Sequence, residues 1–330
     1  MRRLRRRTNG GLRIVGLITV LTVWAVVASS ASAHFGGAAH RVQFAAAALP
    51  TPAHVVIVVE ENRSQANIIG NKSAPYINSL AANGAMMTQS FAETHPSEPN
   101  YLALFAGNMF GLKDNSCPVN VGAAPNLGSE LLAAGYTFAG FAEDLPAVGS
   151  PVCSAGKYAR KHVPWVDFSN IPKNYSLPFS AFPAPPNYAS LPTVSFVIPN
   201  VDNDMHDGSI AQGDAWLYQK LSPYAAWAKT NNSLLILTWD EDDNTARNQI
   251  PTIIYGANVK PGAYPSRSAT TTCCPLWSRC TGCPKPVTRP TLRRLPTSGA
   301  ANVAGWPSVG RCAPASISCA AWLLSWFLSD

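Results

Sequence analysis

Apolar and polar positions fall in blocks along this chain. Val55-Val56-Ile57-Val58-Val59 is a continuous β-branched run, the pattern of a strand buried on both faces. Val194-Ser195-Phe196-Val197-Ile198 and Leu234-Leu235-Ile236-Leu237-Thr238-Trp239 repeat it, and Thr137 to Phe141 and Thr252 to Tyr255 read as further strands. Between them, Pro75 to Gly84, Leu127 to Ala134 and Ile210 to Trp227 carry helical spacing; Gly84 and Gly135 supply stops. Strands alternating with helices predict an α/β chain, a three-layer α/β/α sandwich with a mostly parallel central sheet. Such sheets bind ligands beyond the carboxyl ends of their strands. Three predicted strands run there into polar residues: Glu60-Glu61-Asn62, Pro199-Asn200 and Asp240-Glu241-Asp242-Asp243.

The segment His95-Pro96-Ser97-Glu98-Pro99-Asn100-Tyr101 precedes another apolar run, Leu102 to Ala106. Pro99 suits a first helical turn, where its missing N–H is not needed. Ser97 then lies at or just before a helix N-terminus. Two readings stand side by side. Serine is a preferred helix cap, and a hydroxyl at the positive end of a helix is a candidate nucleophile for a phosphate ester.

Charge narrows the class. Met1 to Arg13 holds six arginines, Ile14 to Val27 is apolar, and Ala31-Ser32-Ala33 is a small-x-small cleavage site. Residues 1–33 therefore read as a signal peptide. The mature chain starts near His34 and is secreted or held in the cell envelope. The pairs Arg2-Arg3 and Arg6-Arg7 allow a twin-arginine route. The apolar run is shorter than the roughly 20 residues of a spanning helix, so no membrane span is expected after cleavage; an uncleaved anchor is the alternative. Without the six arginines the formal charge of +7 falls to +1. Residues 34–265 carry twelve Lys and Arg against seventeen Asp and Glu, and 266–330 carry seven against one. The basic pI is thus no sign of a nucleic-acid partner.

Residues 34–53 are Ala-rich and read as a linker, which leaves 54–265 as the domain. Cys117 and Cys153 are its two cysteines and pair in an oxidising compartment. The other six cysteines lie after residue 265.

The strand-end residues assemble into a chemical hypothesis. Glu61, Asn62, Asp240 and Glu241, with the Ser97 hydroxyl, make a hard, anionic oxygen set suited to one divalent cation of unspecified identity. Such an ion lowers the pKa of a hydroxyl and polarises a phosphoryl oxygen. The plainer reading is that strand-end acids are solvated loop residues. His206, in the loop Asn200 to Gly208, is placed to protonate a leaving oxygen or hold a phosphate. His162 and His95 are weaker candidates of the same kind, for substrate contact.

Glu61-Asn62-Arg63-Ser64, Ser97-Glu98-Pro99-Asn100, Asn200 to Gly208 and Thr238-Trp239-Asp240-Glu241-Asp242 follow one another in an order that resembles the phosphoesterase family. That family includes bacterial acid phosphatases and C-type phospholipases within the alkaline-phosphatase-like superfamily. The resemblance runs from about His54 to Tyr264. It implies an alkaline-phosphatase-like sandwich and hydrolysis through a phospho-enzyme formed on Ser97. Asn100 would hold a phosphoryl oxygen, Glu61, Asn62, Asp240 and Glu241 a single metal ion with Ser97 completing its shell, and His206 and His162 would lie near the phosphate. The implied substrate is a small phosphate ester or a phospholipid. The expected activity is acid-phosphatase-like monoester hydrolysis, with phospholipase C-like diester cleavage second and an inactive exported protein that keeps the fold third. The sequence does not fix an oligomeric state.

After Tyr264 the resemblance stops. Related chains continue Asp-His-Tyr and end a helix near Tyr-Gly-Leu-Pro, whereas residues 269–285 here hold Cys273, Cys274, Cys280 and Cys283. Read in a shifted frame, back-translation of this stretch can restore a family-like ending. Residues 266–330 are therefore expected to be a frameshifted, poorly ordered tail. The rival reading is a cysteine-rich module with Cys280-x-x-Cys283 as half a zinc site.

Overall fold

The computed structural model describes residues 51–269. The expected signal peptide, most of the linker, and the tail from residue 270 with its cysteines lie outside the described residues. In chain order the elements are β1 (His54–Glu60), α1 (Gln65–Ile68), α2 (Pro75–Asn83), β2 (Ala85–Phe91), α3 (Ser97–Ala106) and α4 (Leu127–Ala133). Then come β3 (Phe138–Ala142), a small hairpin of β4 (Ser154–Ala155) and β5 (Tyr158–Ala159), β6 (Ser176–Pro178), β7 (Val194–Ile198), α5 (Ile210–Ala228), β8 (Ser233–Trp239), β9 (Thr252–Gly256) and β10 (Gly262–Ala269).

Eight strands form one sheet in the order β10-β2-β9-β8-β1-β7-β3-β6. Only β9 runs against its neighbours, β8 and β2. The other pairings are parallel. The apolar runs are continuous because helices cover both faces. In β1, Val56 and Val58 join a core with Leu217, Leu221 and Tyr224 of α5. Val55, Ile57 and Val59 join a second core with Leu102 and Phe105 of α3. β8 divides the same way, with Leu235 and Leu237 on the α5 face and Leu234 and Ile236 on the α3 face. This is the three-layer α/β/α sandwich.

The structure extends the expected domain at both ends. The Asn232 side chain donates to the Thr51 carbonyl at 2.8 Å, and Ala53 N–H donates to the Asn232 carbonyl at 2.7 Å. At the other end β10 stays paired with β2 as far as Ala269 opposite Phe91, past the boundary expected at 265. Neither β2 nor β10 follows from the pattern. β2 places Thr88 and Gln89 at half-buried positions, and β10 is an exposed edge with no apolar run.

Glycine matters at one packing point. A Cβ on Gly140 of β3 would lie 2.1 Å from the Trp165 ring, so the absent side chain lets the indole rest on the sheet. Among the described residues no helix is long and apolar enough to cross a membrane.

Cys117 and Cys153 form a disulfide across 36 positions of sequence. Closing a loop of that size removes unfolded-state entropy. The double variant Cys117→Ser, Cys153→Ser is expected to lose roughly 3–4 kcal/mol of stability, read as a lower urea midpoint. An unchanged midpoint would show that the cross-link does not restrain the unfolded chain.

Candidate active site

The parallel register of β1 and β8 sets Glu60 opposite Trp239, and Asp240 N–H donates to the Glu60 carbonyl at 3.0 Å. The residues just beyond, Glu61 on one strand and Asp240-Glu241 on the other, are thereby brought side by side. Glu61 N–H donates to the Asp204 carbonyl at 2.7 Å, which ties the loop after β7 to the same point. Asn62 turns the chain away with a left-handed φ of 52°, a conformation that asparagine tolerates. Its N–H lies 3.3 Å from Asp240 Oδ1.

α3 brings the serine. Ser97 is the first residue of the helix, and Pro96 stands at the cap position without a cap hydrogen bond from its side chain. The expectation that Ser97 serves as a cap is corrected. Its Oγ donates instead to Glu61 Oε2 at 3.1 Å and to Glu241 Oε1 at 3.2 Å. Asn115 Oδ1 accepts the Glu98 N–H at 3.0 Å and does part of the capping.

Asn100 is also placed differently from its expected role at a phosphoryl oxygen. Its Oδ1 accepts the Glu93 and Thr94 N–H groups, and its Nδ2 donates to the Thr94 carbonyl at 2.7 Å. The amide therefore staples the turn that presents Ser97, reaching Glu241 Oε2 only at 3.5 Å.

The three histidines separate by burial. His95 and His206 leave 28% of their side-chain surface exposed, and His162 leaves 1%. His95 Nδ1 donates to Glu241 Oε2 at 2.6 Å, and its Nε2 lies 3.5 Å from Asp242 Oδ1. His162 was expected at the phosphate, yet it is locked inside. Its Nε2 lies 3.0 Å from Glu61 Oε1, its Nδ1 lies 3.1 Å from Asp204 Oδ2, and the ring stacks on Tyr101. Its position suits fixing Glu61 better than meeting substrate. Lys161 Nζ lies 3.0 Å from His206 Nε2, and Asp207 accepts from Nδ1 at 2.7 Å. A lysine has only donors, so this geometry assigns His206 the Nδ1–H tautomer.

Sequence reasoning passed over Lys161, Tyr101 and Asp204. Lys161 stands beside a singled-out histidine, and Asp204 lies two residues before His206. Tyr101, one turn after Ser97, reads as core.

The electrostatics leave carboxylate oxygens crowded and short of partners. Burial, and then neighbouring acids, hold Glu61, Asp204 and Asp240 well above the usual carboxylate range; burial also raises Glu241. Burial, and then Lys161 and His206, hold His162 far below its ordinary value. A neutral imidazole has one N–H, so it serves only one of its two carboxylates as a donor. Glu61 Oε1 and Asp240 Oδ2 are buried without a hydrogen-bond partner. Oxygens left this way demand a proton or a metal ion.

Among the described residues, two groups of side chains have ligand atoms within 4.8 Å of one another: Glu61, Asp240 and Glu241, and Glu61, His162 and His206. His206 is already engaged by Lys161 and Asp207, so the all-carboxylate group fits a cation better. Its hard oxygens match a hard divalent ion.

The Phosphoesterase family model matches residues 71–273 of the chain. A phosphatidylinositol-3-phosphatase of Mycobacterium tuberculosis is 77% identical over 244 residues, 74% of this chain and 82% of that protein. A phosphate-repressible acid phosphatase of Penicillium chrysogenum is 31% identical over 59% of this chain and 49% of its own length. An acid phosphatase of Aspergillus fumigatus is 30% identical over 54% of this chain and 43% of its own length. The chain thus spans about half or less of each of these two fungal proteins. Among solved structures, the lipoteichoic acid synthase LtaP from Listeria monocytogenes is 12% identical with a TM-score of 0.48, over 68% of this chain and 71% of that one. An alkaline phosphatase superfamily protein from Vibrio parahaemolyticus is 13% identical with a TM-score of 0.45, over 70% and 69%.

The raised carboxylates fix a pH dependence. With divalent ions chelated, the native state binds more protons than the unfolded chain above about pH 4. Stability is then expected to fall as pH rises, by about 1.4 kcal/mol per pH unit where one such group carries the slope. Adding a suitable ion from a series of Mg²⁺, Ca²⁺, Mn²⁺ and Zn²⁺ should flatten the slope. Thermal unfolding over pH 4–8 with and without chelator measures it, and a slope of opposite sign in chelator would rule out the charge-strained cluster.

Proposed function

Because the chain belongs to the phosphoesterase family and is a phosphoric ester hydrolase, we propose that Ser97 is its nucleophile and that a small phosphate monoester is its substrate. Glu61, Asn62, Asp240 and Glu241 would hold one divalent cation beside that serine. One observation carries the reading: the hydroxyl of Ser97, on the first residue of a helix, lies within hydrogen-bond reach of two carboxylates from two adjacent strand ends.

The Ser97 proton passes to one of these carboxylates as Oγ attacks phosphorus. The ester P–O bond breaks, and the phosphoryl group stays on Ser97 while the alcohol departs. Lys161, backed by His206 and Asp207, offsets charge on the phosphoryl oxygens and can lend the departing oxygen a proton. His95, held by Glu241, lines the same approach. His162 and Tyr101 keep Glu61 oriented, and Asn100 keeps the serine turn in place. Water then cleaves the phosphoserine, releases phosphate and returns the proton to Oγ. A bound cation would supply Lewis acidity, lowering the hydroxyl's pKa and drawing charge from a phosphoryl oxygen.

The reading includes export. The arginine-rich start, the apolar run and the cleavage site support it, and so does the Cys117–Cys153 disulfide, a bond of oxidising compartments. A second reading carries the same monoester chemistry to a phosphorylated inositol lipid. It is favoured by the 77% identity to a protein named for phosphatidylinositol 3-phosphate hydrolysis.

The full chain should release phosphate from p-nitrophenyl phosphate and, on the second reading, from short-chain phosphatidylinositol 3-phosphate, with little cleavage of phosphatidylcholine. Ser97→Ala should lower kcat about 10³-fold or more while the thermal midpoint stays. Retained activity in that variant would sink the mechanism; phosphocholine release would favour diester cleavage, and a folded chain inert on all three would favour the inactive alternative. Lys161→Gln should raise KM about tenfold with unchanged stability, and an unchanged KM would remove Lys161 from substrate binding.

A further inference from the structure

Arg63 follows Asn62 directly, and its guanidinium folds back over that residue. Nη1 donates to the Asn62 carbonyl at 2.8 Å, and Nη2 to the Gly208 carbonyl at 3.2 Å. The Asn62 N–H lies 3.3 Å from Asp240 Oδ1, and Gly208 ends the loop that carries His206. The guanidinium is therefore pinned between two edges of the carboxylate site, the end of β1 and the loop after β7. Two trans peptide steps separate it from Glu61, so the two Cα atoms stand at most about 7 Å apart, within the span of one small substrate.

The two carbonyls fix the position of this cation but leave its charge uncompensated. Among the described residues no carboxylate lies within ion-pair distance of Arg63. Acids on the neighbouring loops are engaged elsewhere: Asp202 with Lys157, Asp207 with His206, and Asp243 with Ser64 and Asn67. A guanidinium carries more N–H groups than two carbonyls can use. Arg63 is half-buried, and none of its nitrogens is sealed away without a partner. Spare donors on a planar, half-exposed fork match the oxygens of a phosphate. Lys161 meets the same loop at His206, 3.0 Å away, and is the cation assigned to the reacting phosphoryl group. Arg63 is left for another anion.

We propose that Arg63 is a specificity-determining residue, which holds a second phosphate group on the substrate whose monoester reacts at Ser97. The inference rests on the monoester reading of that site and narrows its substrate to a molecule with two phosphates. The second group is either another monoester on a soluble polyol or the diester of an inositol lipid headgroup. Both present the same oxygens to the fork.

Steady-state kinetics of the full chain on inositol 3-phosphate and inositol 1,3-bisphosphate test it, with short-chain phosphatidylinositol 3-phosphate as the diester arm. The bisphosphate is expected to show a KM about tenfold below that of the monophosphate. Arg63→Gln should abolish most of that preference, and Arg63→Lys, which keeps the charge without the fork, should retain about threefold. A purely structural role would impair both substrates alike and leave the ratio intact. A gain shared by the lipid admits a diester as the second group, and a gain by the soluble bisphosphate alone confines it to a monoester. Equal KM values in the parent chain, a comparison that needs no variant to fold, would overturn the proposal. So would a ratio unmoved in Arg63→Gln, or a preference shown by the lipid alone, which would belong to its acyl chains. Failure of the Ser97 reading is visible separately, as activity retained in Ser97→Ala. If the chain turns over none of these esters, calorimetric titration with the two inositol phosphates reads the same tenfold ratio as Kd, and equal Kd values overturn the proposal.

Discussion

The pairing of β1 with β8 is the constraint on which the rest of this molecule depends. Seven residues of each strand lie opposite one another in parallel. That register puts Glu61 beside Asp240 and Glu241, where the Ser97 hydroxyl bridges Glu61 and Glu241. A shift of one residue would send these side chains to the opposite face of the sheet. The apolar faces prevent such a slip, because each strand has residues committed to two separate cores. The same alternation that buries Val56 and Leu235 under α5 therefore also aims the acids. Fold and site are specified by one set of contacts.

The parts of this architecture legible in the sequence are those where burial leaves a strong pattern. β1, β7 and β8 are apolar on both faces and stand out, and α2 and α5 lie within a residue of their expected bounds. β2 and β10 do not stand out, since polar residues such as Thr88, Gln89 and Arg267 sit in their pairing and side-chain contacts, Thr88 Oγ1 on the Tyr264 carbonyl and Arg267 over the Phe91 ring, leave no apolar pattern. The candidate site divides in the same way. Acids at strand ends announce themselves because parallel sheets gather such ends. The division of labour among the histidines does not. His95, His162 and His206 look alike in the sequence, and only packing against Tyr101 and two carboxylates separates the buried one. The contacts of Ser97 and Asn100 were not legible either: the serine hydroxyl turns to Glu61 and Glu241, and the asparagine amide ties the Glu93–Thr94 turn.

Charge is arranged in layers around the serine. Buried oxygens of Glu61, Asp204 and Asp240 lie innermost, His162 is wedged among them, and the half-exposed Lys161, His95 and His206 form the rim. An anionic ester approaching from solvent meets positive charge and imidazole before it meets carboxylate. The acids would repel that ester if bare, so the layering works only with a counter-charge at its centre. That counter-charge can be a proton on the raised carboxylates or a cation held among them.

The left-to-right order of the sheet is not the order of the chain, and this has a bearing on where an ion could enter. Glu61 is made early in synthesis, but Asp240 and Glu241 arrive about 180 residues later, on a strand that docks directly against β1. No partial chain lacking β8 can hold the ion through this carboxylate group. A chain threaded unfolded across a membrane would therefore choose its metal from the far side. One folded beforehand would carry out whatever the cytoplasm supplied. On the proposed reading of an exported chain that holds a cation, the route would thus bear on which metal is taken, as much as the affinity of the ligands does.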